Sequence, residues 1–388
     1  MKMLKNGRGS KAIVPCLFAL ALLLQSAAAI QVAAQTSKND SHTTWQWVDN
    51  DWKKSLEIRG RAEFTEDYTD IKSVSEDGSV RIEETRGGTT RRLDVVPAAG
   101  GQLRRTFSVG GEPRPMNEQD RAWVAGMILE AVRRGGIDAD KRVQRIFERR
   151  GVSGVLEEIS LVGGDYARRI YFEALIKNRN LDASSLQAVF REAARQISSD
   201  YEQAQLLIGA SELIAGRSQA LPAFFEATGT IKSDYEHRRV LSTLLKKSEP
   251  VSRELLVMTV RSAARMASDY EKATLLKEVA VRNLEDAQLA AAFFQTADTI
   301  KSDYEHRNVL SALLKRRGLG HEVLGRLLES AARISSDYEK ATLLLEASSA
   351  YSGDARLRGQ FLRTVETIKS DYERGRVLSA MLKNKQMD

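Results

Sequence analysis

The four residues Ser302-Asp303-Tyr304-Glu305 belong to a pattern that the chain repeats between residues 151 and 388. A tyrosine preceded by an aspartate recurs at intervals of 34 or 35 residues, at Tyr166, Tyr201, Tyr235, Tyr270, Tyr304, Tyr338 and Tyr372. A fixed period of this length is typical of stacked helical hairpins.

Six of the seven copies read Ser-Asp-Tyr-Glu, which predicts a capped helix start at Ser199, Ser233, Ser268, Ser302, Ser336 and Ser370. In such a capping box the serine hydroxyl accepts the amide of the glutamate, and the glutamate side chain accepts the amide of the serine. The first copy, Gly164-Asp165-Tyr166-Ala167, lacks the box, as an atypical end repeat does. Because the Asp-Tyr pair occurs seven times, we assign it to capping and inter-repeat packing rather than to catalysis.

Each copy contains two amphipathic helices. Counted from the tyrosine, positions +5, +6, +9 and +10 are apolar, as at Val240, Leu241, Leu244 and Leu245. The preceding stretch, 289–300 in the fifth copy, has a second apolar stripe. Since neither helix can bury its stripe alone, the sequence predicts an α-solenoid of about seven repeats of 34–35 residues over 151–388.

The copies also alternate. The third residue after the tyrosine is alanine in the second, fourth and sixth copies, at Ala204, Ala273 and Ala341, whereas Arg238 and Arg307 occupy that position in the third and fifth. The alternation indicates that the true unit is a pair of hairpins.

Residues 55–115 have a different periodicity. Apolar residues alternate with polar ones, as at Val80 and Ile82, and glycine pairs such as Gly87-Gly88 separate the runs. This pattern predicts a small antiparallel β-meander of about five strands. We interpret 35–54 as a linker and 116–150 as connecting helices, so the fold class is α+β, mainly α. Trp45, Trp47 and Trp52 either fill the core of the β-domain or stack on a ligand.

The first 34 residues have the composition of a signal peptide. Lys2, Lys5, Arg8 and Lys11 precede an apolar run that begins at Ala12, and small residues follow it. The alternative is an uncleaved membrane anchor over 12–34. Both predict an exported protein that is periplasmic or secreted. Removing the four basic residues lowers the formal net charge from +7 to +3, so a nucleic-acid partner is not indicated.

Cleavage of this segment is directly measurable. We expect N-terminal sequencing of the mature protein to begin near Ile30 or Gln35, because small residues precede both positions. An intact Met1 on a cytosolic protein would contradict export.

The sequence predicts neither a metal nor another cofactor. Its single cysteine, Cys16, lies within the predicted signal peptide, which excludes disulfides and thiolate chemistry in the mature chain. His237 and His306 occupy the second position after the tyrosine, where other copies have arginine or lysine. We therefore interpret that position as solvated or ligand-facing rather than as a metal site.

The variable positions after each tyrosine are the candidate partner-binding residues, because the buried positions barely change between copies. They are Arg168, Arg238, Lys272, His306, Arg307, Lys340 and Arg374. Cations repeated along one edge of a solenoid would suit an acidic protein or peptide. The alternative is that Arg238 and Arg307 form surface pairs with Asp234 and Asp303, four residues earlier in the same helices.

The repeat length resembles that of the tetratricopeptide repeat, although the Trp, Leu-Gly, Tyr and closing Pro of that motif are absent. The Ser-Asp-Tyr-Glu boxes and segments 78–84 and 91–95 resemble uncharacterised exported bacterial proteins. They are also similar to the region after the peptidase domain of some antirepressor-type membrane metallopeptidases. His321-Glu322 is followed by Gly325 where the zinc motif of those enzymes needs histidine, so the resemblance does not imply their chemistry.

Together these features predict an exported, non-enzymatic protein–protein interaction scaffold that binds its partner through the repeats. One alternative is a regulatory or substrate-recognition module of an envelope proteolysis or signalling system. Another is a hydrolase that uses acidic and histidine side chains of the β-domain. Contact with a membrane is expected only if the N-terminal segment is not cleaved.

Overall fold

A computed structural model describes residues 35–36, 42–49, 52–177, 181–282, 284–316, 318–348 and 355–385. The predicted signal peptide lies outside these residues. The chain divides into two compact units, with the boundary after Val124. None of the helices in the described part of the chain is long and apolar enough to cross a membrane.

The first unit is an antiparallel β-meander, as its alternating pattern predicts. The described strands are β1 (Gln35–Thr36), β2 (His42–Asp49), β3 (Trp52–Arg59), β4 (Ala62–Phe64), β5 (Ile71–Val74), β6 (Ser79–Arg86), β7 (Thr89–Pro97), β8 (Leu103–Val109) and β9 (Glu112–Pro113). Within the described residues, seven of them form one sheet in the order β1-β2-β3-β6-β7-β8-β9, and β4 pairs with β5. The sheet is larger than the five strands predicted.

The turn between β6 and β7 shows why a glycine pair marks a hairpin. Gly87 and Gly88 have φ values of 55° and 80°, in the left-handed region that glycine adopts without strain. The turn sets the register in which Ile82 lies opposite Leu93. Both side chains are fully buried, so the hairpin supplies part of the core of this unit.

The predicted linker over 35–54 is wrong, because strands β1 and β2 and the start of β3 lie within it. Trp45 and Trp47 lie on the same face of β2, and Trp45 is opposite Leu56 of β3. Trp47 is 1% exposed, which confirms that these indole rings fill the core. The sequence does not show the alternation in β2 clearly, because its outward residues include Thr44 and Val48, which do not contrast clearly with buried residues.

The described part of the second unit consists of paired helices, and its first helix begins before the unit boundary. The α-helices are α1 (Glu118–Gly135), α2 (Ala139–Ser160), α3 (Asp165–Ile176), α4 (Ala183–Gln196), α5 (Asp200–Ala215), α6 (Leu221–Thr228), α7 (Asp234–Lys247), α8 (Arg253–Ala263), α9 (Asp269–Ala280), α10 (Ala287–Ala297), α11 (Asp303–Leu314), α12 (His321–Ala332), α13 (Asp337–Ala347), α14 (Ala355–Glu366) and α15 (Asp371–Lys385). The main chain of α2 breaks at Gly151, where φ is +62°.

The helices from α2 to α15 form two layers. The helices that follow the Asp-Tyr pairs, α3, α5, α7, α9, α11, α13 and α15, each contact the next member of this set. The even-numbered helices from α2 to α14 contact one another in the same way and form the second layer. The array of packed hairpins is therefore confirmed, and it is compatible with a solenoid.

The apolar stripes of the two layers meet in a continuous core. Phe190, Phe224 and Phe293 are fully buried in three of the even-numbered helices, α4, α6 and α10. Val240 and Leu244 of α7 are buried in the same core, as the +5 and +9 positions predict. Each fully buried phenylalanine contributes about 2–3 kcal/mol by removal of its ring from water, which holds the two layers together.

Candidate binding surface of the helical array

The predicted cap serines occupy the N-terminal ends of the capped helices. In all six, the hydroxyl oxygen accepts the amide N–H of the glutamate three residues later, at 3.3–3.4 Å. This half of the capping box is confirmed. It fixes Asp as the first and Tyr as the second residue of each helix.

The other half of the box is wrong, because the serine amide donates to the preceding repeat. In the fifth repeat, Asp303 accepts the N–H of Ser335 at 2.9 Å and that of Ser336 at 2.7 Å. The same pair of bonds recurs in the described residues at Asp165, Asp200, Asp234, Asp269, Asp303 and Asp337. We call these six residues the aspartate ladder.

The ladder links every hairpin to the next through its main chain. A carboxylate that accepts two N–H groups is favoured in its charged form. Hydrogen bonds from the amides of Ser370 and Lys369 accordingly lower the pKa of Asp337. The aspartates therefore fasten the turn of the following repeat, in addition to their favourable position at a helix N-terminus.

Three of the six box glutamates pair with arginines of the preceding repeat instead of with the serine amide. Arg238 contacts Glu271, and Arg307 Nε lies 2.8 Å from Glu339 Oε2. Arg169 and Glu202 form the same pair one unit earlier. The alternative prediction, that Arg238 and Arg307 pair within their own helices, is therefore wrong.

These ion pairs also explain the alternation between copies. An arginine three residues after the tyrosine reaches forward from the first, third and fifth repeats to the next glutamate. In the third and seventh repeats the glutamate pairs within its own helix, Glu236 with Arg239 and Glu373 with Arg376. Arg238 and Arg307, two of the predicted partner-binding residues, are thus occupied inside the array.

The second position after the tyrosine is buried rather than solvated in the second to sixth copies, which is a further correction. Lys272, His306 and Lys340 are 3–4% exposed. Lys272 Nζ donates to Thr299 Oγ1 at 2.9 Å, and Lys340 Nζ donates to Thr367 Oγ1 at 2.9 Å. Burial lowers the pKa of both lysines.

These buried cations lie where the even-numbered helices end. The last carbonyls of a helix lack internal partners and carry the negative end of its dipole. Arg168 shows the same interaction, since its Nη1 donates to the carbonyl of Gln196 at 3.1 Å. Arg374, in the last repeat, donates to the carbonyl of Ile368 at 3.0 Å. All seven predicted partner-binding residues therefore have partners within the array.

The array exposes one tyrosine in each repeat. The seven tyrosines of the repeats, Tyr166, Tyr201, Tyr235, Tyr270, Tyr304, Tyr338 and Tyr372, are 45–73% exposed. Their exposure contradicts our assignment of these residues to inter-repeat packing. Because each is the second residue of its helix, they recur at the same edge of every hairpin, and we call them the tyrosine stripe.

Arginines of the array hold several of these rings in place. The guanidinium carbons of Arg169, Arg238 and Arg307 lie 5.1–5.3 Å from the ring centroids of Tyr166, Tyr235 and Tyr304. A cation over an aromatic face is worth about 0.5–1 kcal/mol at an exposed site. The same arginines form ion pairs with glutamates of the next repeat, which restricts their movement. The exposed rings of these three tyrosines therefore pack against side chains that are themselves held in place.

Other candidate chemistry is sparse in the part of the chain that the structure describes. Within those residues, no group of three or more His, Cys, Asp or Glu side chains could hold a metal ion. On the β-sheet, Asp94 accepts hydrogen bonds from Arg81 and Arg92 at 2.8 and 2.6 Å. These charged side chains of the first unit are thus paired with one another.

No protein-family model matches the sequence, and comparisons with curated proteins and with solved structures found no match. The geometry of the array is therefore the basis for a functional proposal.

Proposed function

We propose that this protein is a non-enzymatic protein-binding scaffold, and that its tyrosine stripe contacts an extended segment of the partner. The observation that supports this proposal is the exposure of one tyrosine in every repeat. Tyrosine is enriched at protein interfaces because its ring offers a large apolar area, a polar tip and few rotatable bonds. A soluble surface does not otherwise require the same aromatic residue at seven equivalent positions.

The dimensions of the stripe suit a protein or peptide. Helices of one layer pack about 8–10 Å apart, so seven tyrosines extend over roughly 50–60 Å. A standard interface buries about 800 Å² on each partner, which several half-exposed rings and their polar neighbours can supply. Along the described part of the stripe, no tyrosine hydroxyl of the seven has a hydrogen-bond partner, so the hydroxyls remain available to a bound segment.

The proposed location is outside the cytoplasm, on the basis of the charged start and apolar run of the sequence. In that compartment the scaffold would hold another envelope or secreted protein. A role as the recognition module of an envelope proteolysis or signalling system is the second candidate, and the resemblance of the Ser-Asp-Tyr-Glu boxes to the metallopeptidase-associated region favours it. Both candidates require the stripe to contact protein.

Photo-crosslinking tests the stripe directly. A photoreactive phenylalanine analogue replaces Tyr201, Tyr270 or Tyr338, which have alanine three residues later and so lack the supporting arginine. The matched control places the analogue at Lys247, an exposed residue at the opposite end of α7 from Tyr235. We expect crosslinked adducts of one discrete partner at the tyrosine positions and none at Lys247.

Substitution of the tyrosines supplies the quantitative test. Since truncation of a tyrosine at an interface often costs more than 1 kcal/mol, Tyr201→Ser, Tyr270→Ser and Tyr338→Ser together should weaken binding of that partner at least tenfold. The circular-dichroism spectrum should stay unchanged, because these rings are exposed. If the partner crosslinks at Lys247 as well as at the tyrosines, or if the triple variant binds normally, the stripe is not the binding surface.

A further inference from the structure

A cleft between α6 and α8 differs from the corresponding place one unit later. It has a volume of about 580 Å³ and is lined by Pro222, Phe225, Glu226, Gly229, Thr230, Met258, Arg261, Ser262 and Arg265. One wall is apolar, whereas the floor has a serine hydroxyl and the rim has two exposed arginines. The internal repetition of the chain shows what such a cleft can hold.

One unit later, between α10 and α12, a carboxylate of the chain itself occupies the equivalent position. Asp298, six residues before Tyr304, accepts a hydrogen bond from the Ser330 hydroxyl at 2.5 Å. Its other oxygen lies 3.0 Å from Arg333 Nε. His306 Nε2 lies 2.9 Å from the same serine hydroxyl. The carboxylate is thus held by an arginine and a serine that a histidine orients.

The α6–α8 cleft has the same binding groups but no carboxylate. Ser262 and Arg265 are the equivalents of Ser330 and Arg333, and His237 Nε2 lies 2.8 Å from the Ser262 hydroxyl. The residue six positions before Tyr235 is Gly229, where the later unit has Asp298. Among the described residues, the Arg265 side chain has no ion pair or hydrogen bond.

The glycine is not required by the backbone. Gly229 has φ −69° and ψ −10°, and Asp298 has φ −66° and ψ −11°, so both residues adopt the same ordinary helical conformation. A Cβ at Gly229 would stand 2.5 Å from Arg265 Nη1, the mobile end of a long side chain. The missing side chain therefore leaves the guanidinium lying directly over the main chain, where an incoming carboxylate can reach it.

We propose that the α6–α8 cleft binds an aspartate or glutamate side chain of a protein partner, with Arg265 and Ser262 as its ligands. This inference rests on the proposed function of the array as a protein-binding scaffold. The incoming carboxylate takes the place that Asp298 fills in the later unit. An aromatic or aliphatic residue next to the acid packs against Phe225, Pro222 and Met258.

The charges around the cleft favour such a segment. Arg261 and Arg265 lie on its rim, and the one acid in the lining, Glu226, has Arg191 at 3.6 Å. The later unit has Glu329 where Arg261 stands, and its own Asp298 already neutralises Arg333. Only the earlier of these two places thus combines an open cleft with an excess of positive charge.

The test uses the full-length protein and a fluorescein-labelled peptide, Gly-Phe-Asp-Phe-Ala-Gly, with an amidated C-terminus. Fluorescence anisotropy should show that this peptide binds saturably, with a dissociation constant no higher than about 1 mM. We expect Arg265→Gln to weaken binding at least tenfold, because the charge-assisted bond is lost. Gly229→Asp should weaken it at least tenfold as well, because the new carboxylate occupies the site as Asp298 does. Arg333→Gln is the matched control and should change the affinity less than twofold.

A second peptide distinguishes a side-chain carboxylate from a chain terminus. It has asparagine in place of aspartate and a free C-terminal carboxylate, and we expect it to bind at least tenfold more weakly. Equal binding of the two peptides, no binding of the first, or unchanged affinity in Gly229→Asp would each overturn the inference.

These outcomes can be separated from failure of the proposed function. If the cleft fails these tests while the partner still crosslinks to the tyrosines, the scaffold proposal stands and the acidic site is wrong. If the peptide binds the cleft but the tyrosine positions give no adduct, the stripe is wrong and the cleft remains a peptide site.

Discussion

Replacement of Asp303 by alanine should lower the free energy of unfolding by about 2 kcal/mol. The substitution removes two charge-assisted hydrogen bonds, from the amides of Ser335 and Ser336, which are worth about 1.5–3 kcal/mol each when shielded from water. The estimate lies near the lower end because Ser335 is exposed and its freed amide can bind water. Urea denaturation followed by circular dichroism measures the change.

The last repeat supplies a matched control. Asp371 is also the first residue of a capped helix, but no repeat follows it within the described residues, and its 89% exposed side chain contacts only Arg374 there. Asp371→Ala should therefore cost less than about 0.5 kcal/mol. The difference between the two variants isolates the contribution of the aspartate ladder, since both lose the same interaction with a helix dipole.

An intermediate variant sharpens this comparison. Asp303 uses both of its oxygens, one for each amide, so Asp303→Asn keeps only one acceptor and should lose about half as much stability. Because neighbouring hairpins couple only through their shared interface, Asp303→Ala should also broaden the unfolding transition. Equal losses in Asp303→Ala and Asp371→Ala would mean that the ladder does not hold the repeats together.

The hairpins could be predicted because the information that specifies them is local. A cap serine, a glutamate three residues later and an apolar stripe define each helix without knowledge of its neighbours. The ladder is different in kind. Its bonds join residues about 33 apart, and the sequence of one repeat satisfies a capping box equally well with its own glutamate. Only the packed array shows that the acceptor of the serine amide is the aspartate of the preceding repeat rather than the glutamate of the same box.

Helix geometry alone predicts which side chains near the start of each capped helix are exposed, namely the tyrosine but not the second residue after it. At about 100° per residue, the apolar positions +5 to +10 cover directions from roughly 140° to 280° around the tyrosine. The tyrosine itself, at 0°, lies on the opposite face, and the second residue after it, at about 200°, lies in the centre of the stripe. Residue type suggested the reverse, because lysine and histidine are rarely buried without partners.

The buried histidines should make the protein less stable in mild acid. Burial lowers the pKa of His237 from 6.5 to about 4, with Asp234 raising it and Arg265 lowering it to smaller extents. Burial also lowers the pKa of His306, which faces Asp298, Asp303 and Arg333. The folded protein thus binds these protons more weakly than the unfolded chain does. Stability should be complete above pH 6.5 and should fall as the pH decreases toward 4.

The size of this effect can be assigned with one substitution. For His237, the lowered pKa corresponds to a loss of about 3 kcal/mol in the free energy of unfolding. This loss accumulates gradually as the pH falls from 6.5 to 4. Gln203 occupies the equivalent position in the second repeat, where its amide nitrogen donates to the carbonyl of Ala227, so His237→Gln places a neutral residue that this layer already accepts. Urea denaturation at several pH values should show that His237→Gln loses less stability than the unsubstituted protein between pH 6.5 and 4. If both lose the same amount, protons enter elsewhere, and the buried histidine does not limit the stability of the array in acid.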